Sequence, residues 1–522
     1  VCRTHGTTGA VTVAYATSGD THTSVSGTIS WADGDASIQS FTVPVTAGDL
    51  STHDAAGLGD HRITATLSTP TNSMVLHFGA THTTAVGVID NATMIASDAN
   101  AVFYDSAAGA GTGTQASPYN NFYTAMTAMG SKRYFYGKGS TTVGTSYQSS
   151  IGNNGGAYAL PVPTTRTEST RAYIRNWPAS TWTVTGGAST DRNGFYTEAG
   201  ESFHTFRGID FSNINATTAA NGVAIFYQYG SASGINVEFC TADNINGAVG
   251  TNHSAWGLWG VDGGKVWRCT ANNIQSGGDN TNENTAGCQT YFGTNLSLQR
   301  FNVTNANALV YHKGTSTFDV STAVRFCIDD TIYGIHYGAQ GGADASHSYT
   351  IVQGNLFKPN NRMGIYLKAG DQGSNGSNNA EKHWWCGNVF DTRGTGTLGA
   401  ITLRQGYDAA MFNNIMSDCR IVWNEQIDST ATGPVIEYAD YNVENGTTLT
   451  SQRYVWKGVA YSTAAALFSA GGYAANDSQG TPNFTDTVAN DYTLGIGSSA
   501  LGAGVGGVDC GIYLTGIEVI GA

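Results

Sequence analysis

The chain has 522 residues and a formal net charge of −14, from 24 Lys and Arg residues against 38 Asp and Glu residues. Because nucleic-acid phosphates are bound through Lys and Arg, this acidic balance argues against a nucleic-acid partner. An aromatic content of 11% with only 12% charged residues argues against disorder. No apolar run reaches the roughly 18 residues of a membrane span.

Residues 1–97 predict a small β domain. Alternating apolar and polar residues predict strands at Val11–Tyr15, Gly27–Trp31, Ser40–Val45 and His61–Leu67. Gly, Asp and Ser turns separate these segments, and a series of such strands over about 90 residues indicates a β-sandwich.

The order of short motifs in this domain resembles a Calx-β domain over its whole length. The motifs are Tyr15-Ala-Thr, Gly27-Thr-Ile, Asp33-Gly-Asp, Phe41-Thr-Val-Pro-Val, Leu67-Ser-Thr-Pro and Val88-Ile-Asp. The resemblance implies a stalk module, and in some members calcium bound by carboxylates at one end. Calcium takes six to eight oxygen ligands, and the candidate ligands here are Asp33, Asp35, Asp60 and Asp90. The alternative is that these aspartates cap turns by accepting hydrogen bonds from the backbone.

Residues 98–522 predict a second, larger domain that begins with a Gly-rich turn and a short amphipathic helix at Phe122–Met129. This opening resembles that of secreted and phage right-handed parallel β-helix proteins, where a helix caps the solenoid. A cap is needed because an open first coil would expose unpaired strand edges. Thr481-Pro-Asn-Phe, Asn490-Asp-Tyr and Val508-Asp-Cys-Gly-Ile-Tyr resemble the closing segment of the same family.

Between these ends, from about residue 130 to 460, one short pattern recurs. It is Gly or Ala, then an aliphatic residue or Cys, and it begins at Gly222, Gly257, Gly287, Ala308, Gly334, Gly364 and Ala400. The spacings of 21 to 36 residues are typical of stacked repeats, each burying its apolar face on its neighbours. We therefore predict an all-β chain: a right-handed parallel β-helix, or solenoid, with an N-terminal β-sandwich.

A second recurring position is occupied by small apolar groups. Its predicted members are Cys240, Cys269, Phe301, Cys327, Val352 and Cys386. Because Phe and Val replace Cys there, we expect an inward stack of buried thiols, with disulfides as the alternative. No CxxC or Cys/His spacing predicts a zinc site.

Strand alternation assigns faces to the recurring pattern. The predicted inward stack is Leu258, Cys288, Leu309, Ile335, Ile365 and Ile401. The predicted outward columns are Trp259, Gln289, Val310, His336, Tyr366 and Thr402, and then Val261, Tyr291, His312, Gly338, Lys368 and Arg404. Aromatic rings beside cations suit sugars that carry carboxylate or sulfate groups.

These columns define the candidate glycan site. Trp259, Tyr291, His336 and Tyr366 are predicted to contact substrate, and Asp344 and Asp371 lie on polar loops expected to wall the strip into a groove. The alternative is that these are ordinary exposed strand residues and charges that discourage edge pairing.

Three functions remain open. The first is an adhesive fibre that displays a carbohydrate-contacting face. The second is a polysaccharide depolymerase, in which Lys368 or His312 removes a proton while Arg404 holds the uronate carboxylate. Gly364-Ile-Tyr-Leu-Lys is similar to a strand that carries the catalytic Lys in alginate- and chondroitin-lyase β-helices. A glycosidase would need two carboxyls within about 5–9.5 Å, as Asp344 and Asp371 could supply. The third is an architectural filament subunit.

The expected setting is the cell exterior, a cell surface or a virion, because uncharged polar turns around short strands are common in such proteins. The expected partner is a polysaccharide or cell-surface glycan. The resemblance to tailspike proteins implies a homo-oligomer, either a trimer or a filament.

Overall fold

The fold of the chain comes from a computed structural model. The structure describes residues 8–19, 23–35, 39–44, 60–71, 81–90, 95–143, 158–159, 166–186, 193–197, 201–216, 222–227, 232–249, 252–278, 284–291, 293–314, 320–339, 348–358, 365–368, 382–391, 400–404, 408–419, 421–426, 436–445, 453–512 and 520. Nearly all of the regular secondary structure is β-strand, which confirms the predicted all-β class.

The described residues before residue 95 contain one antiparallel sheet. Its strands, in the spatial order β2-β1-β3-β4, are β1 (Val11–Gly19), β2 (Ser26–Trp31), β3 (Asp60–Ser68) and β4 (Thr81–Asp90). Its fully buried cluster is Val11, Val13, Ile29 and Trp31. The strand predicted at residues 40–45 is wrong for its described part, since residues 40–44 have no regular secondary structure. Phe41 stacks on Tyr15 instead, with ring centroids 4.2 Å apart.

The second part of the chain opens with β5 (Ala101–Asp105) and α1 (Phe122–Met129), a helix with the predicted bounds. The side chain of Asn121 accepts a hydrogen bond from the Thr124 amide at 2.9 Å, which fixes the start of α1. The apolar side of α1 is buried in the interior of the first coils, where the Phe122 ring lies 5.9 Å from that of Trp182.

The remaining strands form three faces, and within each face the strands of successive coils pair in parallel. Face A contains β7 (Tyr158–Ala159), β10 (Asn193–Thr197), β13 (Gly222–Tyr227), β17 (His253–Leu258), β21 (Thr285–Tyr291), β24 (Ala308–Gly314), β27 (Ile335–Ala339), β30 (Ile365–Lys368), β33 (Ile401–Arg404), β36 (Trp423–Gln426) and β39 (Tyr454–Trp456). It ends in an antiparallel pairing of β39 with β40 (Val459–Tyr461).

Face B follows face A within most coils. It contains β5, β6 (Tyr134–Val143), β8 (Ala172–Asn176), β11 (His204–Arg207), β15 (Asn236–Glu238), β19 (Lys265–Trp267), β22 (Leu296–Gln299), β25 (Val320–Arg325), β28 (Ser348–Gln353), β31 (Lys382–Cys386), β34 (Asp408–Phe412) and β37 (Ile436–Asp440). A small separate pair, β14 (Ala232–Ser233) and β18 (Val261–Asp262), lies between faces A and B in the sequence.

Face C completes each coil. It contains β9 (Trp182–Gly186), β12 (Asp210–Ala216), β16 (Thr241–Gly247), β20 (Thr270–Ile274), β23 (Asn302–Thr304), β26 (Ile328–Asp330), β29 (Leu356–Phe357), β32 (Val389–Asp391), β35 (Ile415–Ser417), β38 (Val443–Asn445) and β41 (Ser478–Gln479). Each strand pairs with the strand one coil away, so residues roughly 30 positions apart become neighbours. The chain from β5 onward is therefore the predicted parallel β-helix.

A two-residue corner joins face B to face C in successive coils. Its first residue has positive φ, and it is Gly208, Phe239, Arg268, Arg300, Phe326, Gly354, Gly387, Asn413 and Tyr441 in turn. Its second residue is buried, and it is Ile209, Cys240, Cys269, Phe301, Cys327, Asn355, Asn388, Asn414 and Asn442 in turn. The left-handed turn thus directs one side chain per coil into the interior.

The predicted Cys column is correct from Cys240 to Cys327 and wrong beyond it. Val352 lies in the interior of β28, three residues before the corner position, which Asn355 occupies. Cys386 ends β31 and pairs in register with Phe412, so it belongs to another column. The seven described cysteines are buried thiols rather than disulfides.

The buried asparagines form a continuous ladder along the corner. The Nδ2 group of Asn388 donates to Oδ1 of Asn414 at 3.0 Å and to the carbonyl of Val352 at 2.9 Å. Its Oδ1 accepts from both the amide and the Nδ2 of Asn355, each at 3.0 Å. The side chain therefore satisfies its own polar atoms and a backbone amide of the adjacent coil, as a buried polar network requires.

Replacing Asn388 with Ala should lower the free energy of unfolding by about 2–4 kcal/mol, because it leaves buried ladder partners unsatisfied. Asn388→Cys, which copies the residue at Cys327, should have a free energy of unfolding between those of Asn388→Ala and the parent. The matched control is Asn272→Ala, where an exposed Asn donates to Asp243 at 2.8 Å, and there the change should stay within about 1 kcal/mol. Urea unfolding measures all three. Equal losses for Asn388→Ala and Asn272→Ala would contradict a structural role for the ladder.

The C-terminal part of the chain closes the β-helix. It contains α2 (Ala464–Gly471), β42 (Phe484–Asp486) and β43 (Asp491–Leu494). Tyr492, Ala500, Cys510 and Ile512 pack against Leu356, Val389, Ile415 and Val443, residues of face C. This packing fits the predicted closing segment. Neither helix in the described part of the chain is long and apolar enough to cross a membrane.

The asparagine ladder ends at Asp477. Its Oδ1 accepts from the amide of Asn442 at 2.8 Å and from Nδ2 of Asn442 at 3.2 Å. Burial raises the pKa of Asp477 to about 8, the nearby Asp440 and Glu444 carboxylates act in the same direction, and the Asn442 hydrogen bonds lower it. The Asp477 carboxyl is therefore largely protonated in the folded protein at neutral pH.

Asp477→Asn should make stability less dependent on pH. An aspartate titrates near 3.9 when unfolded, so its contribution to stability is complete below that pH and is lost as the pH rises through about 8. Asn keeps an oxygen acceptor for Asn442 and stays neutral. We expect Asp477→Asn to unfold at a higher temperature than the parent above pH 8, with a smaller difference near pH 5. A parent melting temperature that is independent of pH in this range would contradict the assignment.

Candidate functional site

The register of face A tests the predicted interior stack. Ile335 pairs with Ile365, and Ile365 pairs with Ile401. Ile335 and Ile401 are fully buried in the main core. The interior ladder predicted from these three residues is confirmed.

Two other predicted members of the stack, Leu258 and Leu309, do not have the predicted register. Trp256, rather than Leu258, pairs with Cys288. Val310, rather than Leu309, pairs with both Cys288 and Ile335. The cause is that face A has two consecutive interior residues, because both Leu309 and Val310 belong to the main core. Strict alternation therefore fails at this point of each coil.

The observed register differs from the predicted one by one residue. Because the side-chain period of a strand is two, this difference places His312 in the interior rather than on the surface. His312 is buried, and its Nδ1 lies 2.8 Å from Oγ1 of Thr290 and 3.1 Å from Oγ1 of Thr322. Burial lowers the pKa of His312 to about 3. The predicted role of His312 as a base facing substrate is therefore wrong.

Lys313, rather than His312, takes the register position of the predicted outward column. Tyr291 pairs with Lys313, Lys313 pairs with Gly338, and Gly338 pairs with Lys368. Arg404 follows Leu403, the partner of Leu367, and therefore continues the same column. We call Lys313, Lys368 and Arg404 the cationic column. Sequence analysis missed Lys313, although aligning Ala308 with Ala286 instead of Gly287 would have revealed it.

A second column lies two residues earlier on the same strands. Tyr311 pairs with His336, His336 pairs with Tyr366, and Tyr366 pairs with Thr402. The His336 ring is 4.7 Å from that of Tyr311 and 5.6 Å from that of Tyr333. His336 is fully buried, so its predicted exposure to substrate is wrong, because these rings pack on one another.

Trp259 and Tyr291, the first two predicted aromatic contacts, are also buried rather than exposed to substrate. The rings of Trp259 and Tyr291 lie 4.1 Å apart in a small cluster with Tyr196 and Val223. Each is only 2% exposed. The Tyr291 hydroxyl donates to Oδ1 of Asn252 at 2.8 Å. These aromatics form a packed cluster rather than a free stacking platform.

The other predicted site residues divide into two groups. Tyr366, Lys368 and Arg404 have a defined strand register, as given above. Asp344 and Asp371 lie outside the described residues.

The four candidate calcium ligands do not converge. Trp31 pairs with Val11 at one end of β1, which puts Asp33 and Asp35 beyond that end. Asp60 pairs with Asp90 beside the other end, where Gly19 pairs with Ile63. Oδ1 of Asp33 accepts from the Gly9 amide at 2.6 Å, which is the turn-capping alternative. Calcium stays a prediction, and a single site built from all four aspartates is wrong.

Among the described residues, no three His, Cys, Asp or Glu side chains are grouped as a metal site. The arrangement on face A can instead hold an anion, because Lys and Arg occupy consecutive or alternate rungs of one column. Strands in a sheet lie about 4.8 Å apart. Cations on consecutive rungs are therefore spaced on the same scale as the subunits of a polymer.

Comparison with known proteins gives little beyond the fold. No protein-family model matches the chain, and no curated protein matches it. One similar solved structure is described as the complex structure of XylC with xylose, with 8% sequence identity and a TM-score of 0.44. The similarity covers 66% of this chain and 75% of that chain.

The interior position of His312 predicts a pH effect on stability. An unfolded His titrates near 6.5, whereas the folded pKa is about 3. The contribution of neutral His312 is therefore complete above about 6.5 and is lost as the pH falls toward 3, by up to about 1.4 kcal/mol per pH unit. His312→Gln should show a smaller loss than the parent between pH 6.5 and pH 4 in urea unfolding. An identical loss in both proteins would mean that His312 is accessible to solvent.

Proposed function

We propose that this chain is a fibre protein of the cell exterior or of a virion, whose β-helix binds an acidic glycan along face A. The observation that carries the proposal is the register of the cationic column, which brings Lys313, Lys368 and Arg404 together from positions far apart in the sequence. A rigid solenoid keeps such a column in line without ordering a loop.

The chemistry of the column favours carboxylated or sulfated sugars. Lys and Arg form charge-assisted hydrogen bonds with such groups, and Arg does so with two parallel bonds. Tyr366 lies one column away and is the remaining aromatic candidate for stacking on a sugar ring. The burial of Trp259, Tyr291 and His336 makes them supports of this surface rather than contacts.

The proposal extends to the rest of the chain. Residues 1–97 would serve as a Calx-β-like stalk module, and residues 98–522 as the glycan-presenting rod. The assembly would be a homo-oligomer, either a tailspike-like trimer or a filament. The low proportion of charged residues supports the extracellular setting.

A second candidate function is a polysaccharide lyase, which the clustering of cations favours. Neutral Lys368 would remove the proton beside the uronate carboxylate, and Arg404 would hold that carboxylate. The C–O bond to the leaving sugar would break as the double bond forms, and the leaving oxygen would take a proton from water. The buried, neutral His312 does not take part. Binding is preferred over elimination because it needs only cations that hold acidic groups, whereas the other predicted base, His312, is buried.

Binding of the full chain to polygalacturonate, measured by calorimetry, tests the proposal. Lys368→Ala and Arg404→Ala should each weaken binding about tenfold, since a hydrogen bond between charged groups contributes about 1.5–3 kcal/mol. The matched control is Lys358→Ala, a partly exposed Lys that follows β29 of face C and donates to Oδ1 of Asn490 at 2.7 Å. It should bind like the parent, and neutral dextran should not bind.

The outcomes separate the two functions. Ultraviolet absorbance from unsaturated uronate products, absent in Lys368→Ala, would establish the lyase instead. Equal affinities for the parent and both column variants would reject the cationic column as the binding surface.

A further inference from the structure

A second cationic surface lies at the corner between faces B and C, away from the cationic column. It consists of Phe239, Trp267, Arg268, Arg300 and Arg325, which we call the corner patch. All five side chains are partly exposed. Arg268, Arg300 and Arg325 come from three consecutive coils, because β19 pairs with β22 and β22 with β25. The register therefore concentrates three Arg side chains on a chain that is acidic overall.

Aromatic rings hold part of this surface in place. The guanidinium carbon of Arg268 lies 5.3 Å from the centre of the Trp267 ring and 5.6 Å from that of Phe239. The two rings meet edge to face with centroids 5.0 Å apart. Stacking on aromatic faces orients a guanidinium while leaving its N–H groups free to donate in the ring plane.

The relevant positive charge of the patch is that of Arg268 and Arg300, for which the described residues supply no paired carboxylate. Glu238, on the adjacent rung, is engaged by Nη1 of Arg207 at 3.0 Å. Within the described part of the chain, no carboxylate forms an ion pair with Arg268 or Arg300. Partial burial and the nearby Arg268 charge both lower the pKa of Arg300, which shows that the two guanidinium groups repel each other. A bound anion would remove this repulsion.

The backbone at these positions also opposes the presence of large side chains. Arg268 and Arg300 have φ values of 49° and 50°, in the left-handed region that favours glycine. Glycine occupies the same corner position at Gly208 and Gly354. Two Arg side chains therefore stand where glycine would avoid both strain and charge repulsion. Phe239 and Phe326 share this backbone conformation, so the strain belongs to the corner turn itself, whereas the charge repulsion is particular to the two Arg residues.

We propose that the corner patch is a second anion site, which binds a carboxylated or sulfated polysaccharide independently of face A. Guanidinium groups on rungs about 4.8 Å apart can engage successive acidic groups of a polymer. A nucleic acid is disfavoured because its binding depends on neutralising many phosphates, more than three Arg side chains can supply. This inference goes beyond the function proposed for face A and does not rest on it.

The test uses the full chain and compares two double variants. Arg268→Gln with Arg300→Gln removes two charges from the patch, and Lys358→Gln with Lys457→Gln removes two charges elsewhere. The probes are chondroitin sulfate and polygalacturonate, with oligothymidylate as the nucleic-acid probe. In a background that carries Lys368→Ala and Arg404→Ala, the patch variant should bind the acidic polysaccharides at least about tenfold more weakly. The lysine variant should bind like its background.

A glycine variant separates binding from folding. Arg300→Gly copies Gly354 at the same corner position, so its melting temperature should equal or exceed that of the parent while its polysaccharide affinity falls. Failure of the Lys368→Ala, Arg404→Ala background to bind either polysaccharide would overturn the corner patch as a second site. Unchanged affinity in both patch variants would also overturn it, as would tighter binding of oligothymidylate than of either polysaccharide.

Discussion

The structure depends on one constraint: each coil hydrogen-bonds in parallel register to the coil before it. A residue is thereby placed directly over another one about 30 positions earlier, and its side chain has the same orientation. Because the strand period is two, an offset of one residue reverses that orientation. The pairing of Val310 with Cys288 and Ile335 thus decides that His312 is buried and that Lys313 has the register of Tyr291 and Gly338.

The corner between faces B and C shows how the interior accepts polar groups. The sharp turn directs one side chain per coil inward, close to backbone groups of the neighbouring coil. At Cys240 the thiol donates weakly to the Glu238 carbonyl at 3.3 Å. At Asn388 and its neighbours the amide satisfies several such groups at once. Small thiols and repeating amides thus both fill this inward position and bond to backbone groups of the neighbouring coil. Asp477 ends the series with a carboxyl that burial keeps protonated.

The sequence was sufficient for the architecture and for part of the register. The repeat spacing, the helix at 122–129 and the ladder of Ile335, Ile365 and Ile401 could all be predicted, because each reflects apolar periodicity. The register at Leu309 could not, since two consecutive interior residues break the alternation on which the prediction depended. Gly287 marks this crowded position: a Cβ there would lie 2.4 Å from Cγ2 of Val303. The small residue at Gly287 is thus required by interior packing rather than by a turn.

Burial of the aromatic residues was the larger surprise for the candidate site, and it has a physical explanation. An aromatic residue directed out of the β-helix still gains free energy by packing on the ring one rung away. Trp259 and Tyr291 do so, and so do Tyr311 and His336. Sequence alternation predicts which way a side chain leaves the strand, but not whether neighbouring rungs will cover it.

The distribution of charge follows from the same stacking. With 24 basic residues against 38 acidic ones, the chain as a whole repels polyanions, so general electrostatic attraction cannot recruit an acidic polymer. Attraction must come from places where the coils bring several cations together, and the cationic column and the corner patch are two such places. They lie on different parts of one rigid rod, so a long polymer that contacts both would gain avidity without any conformational change. Selectivity for an extended acidic chain over a small anion would then be a property of the solenoid itself.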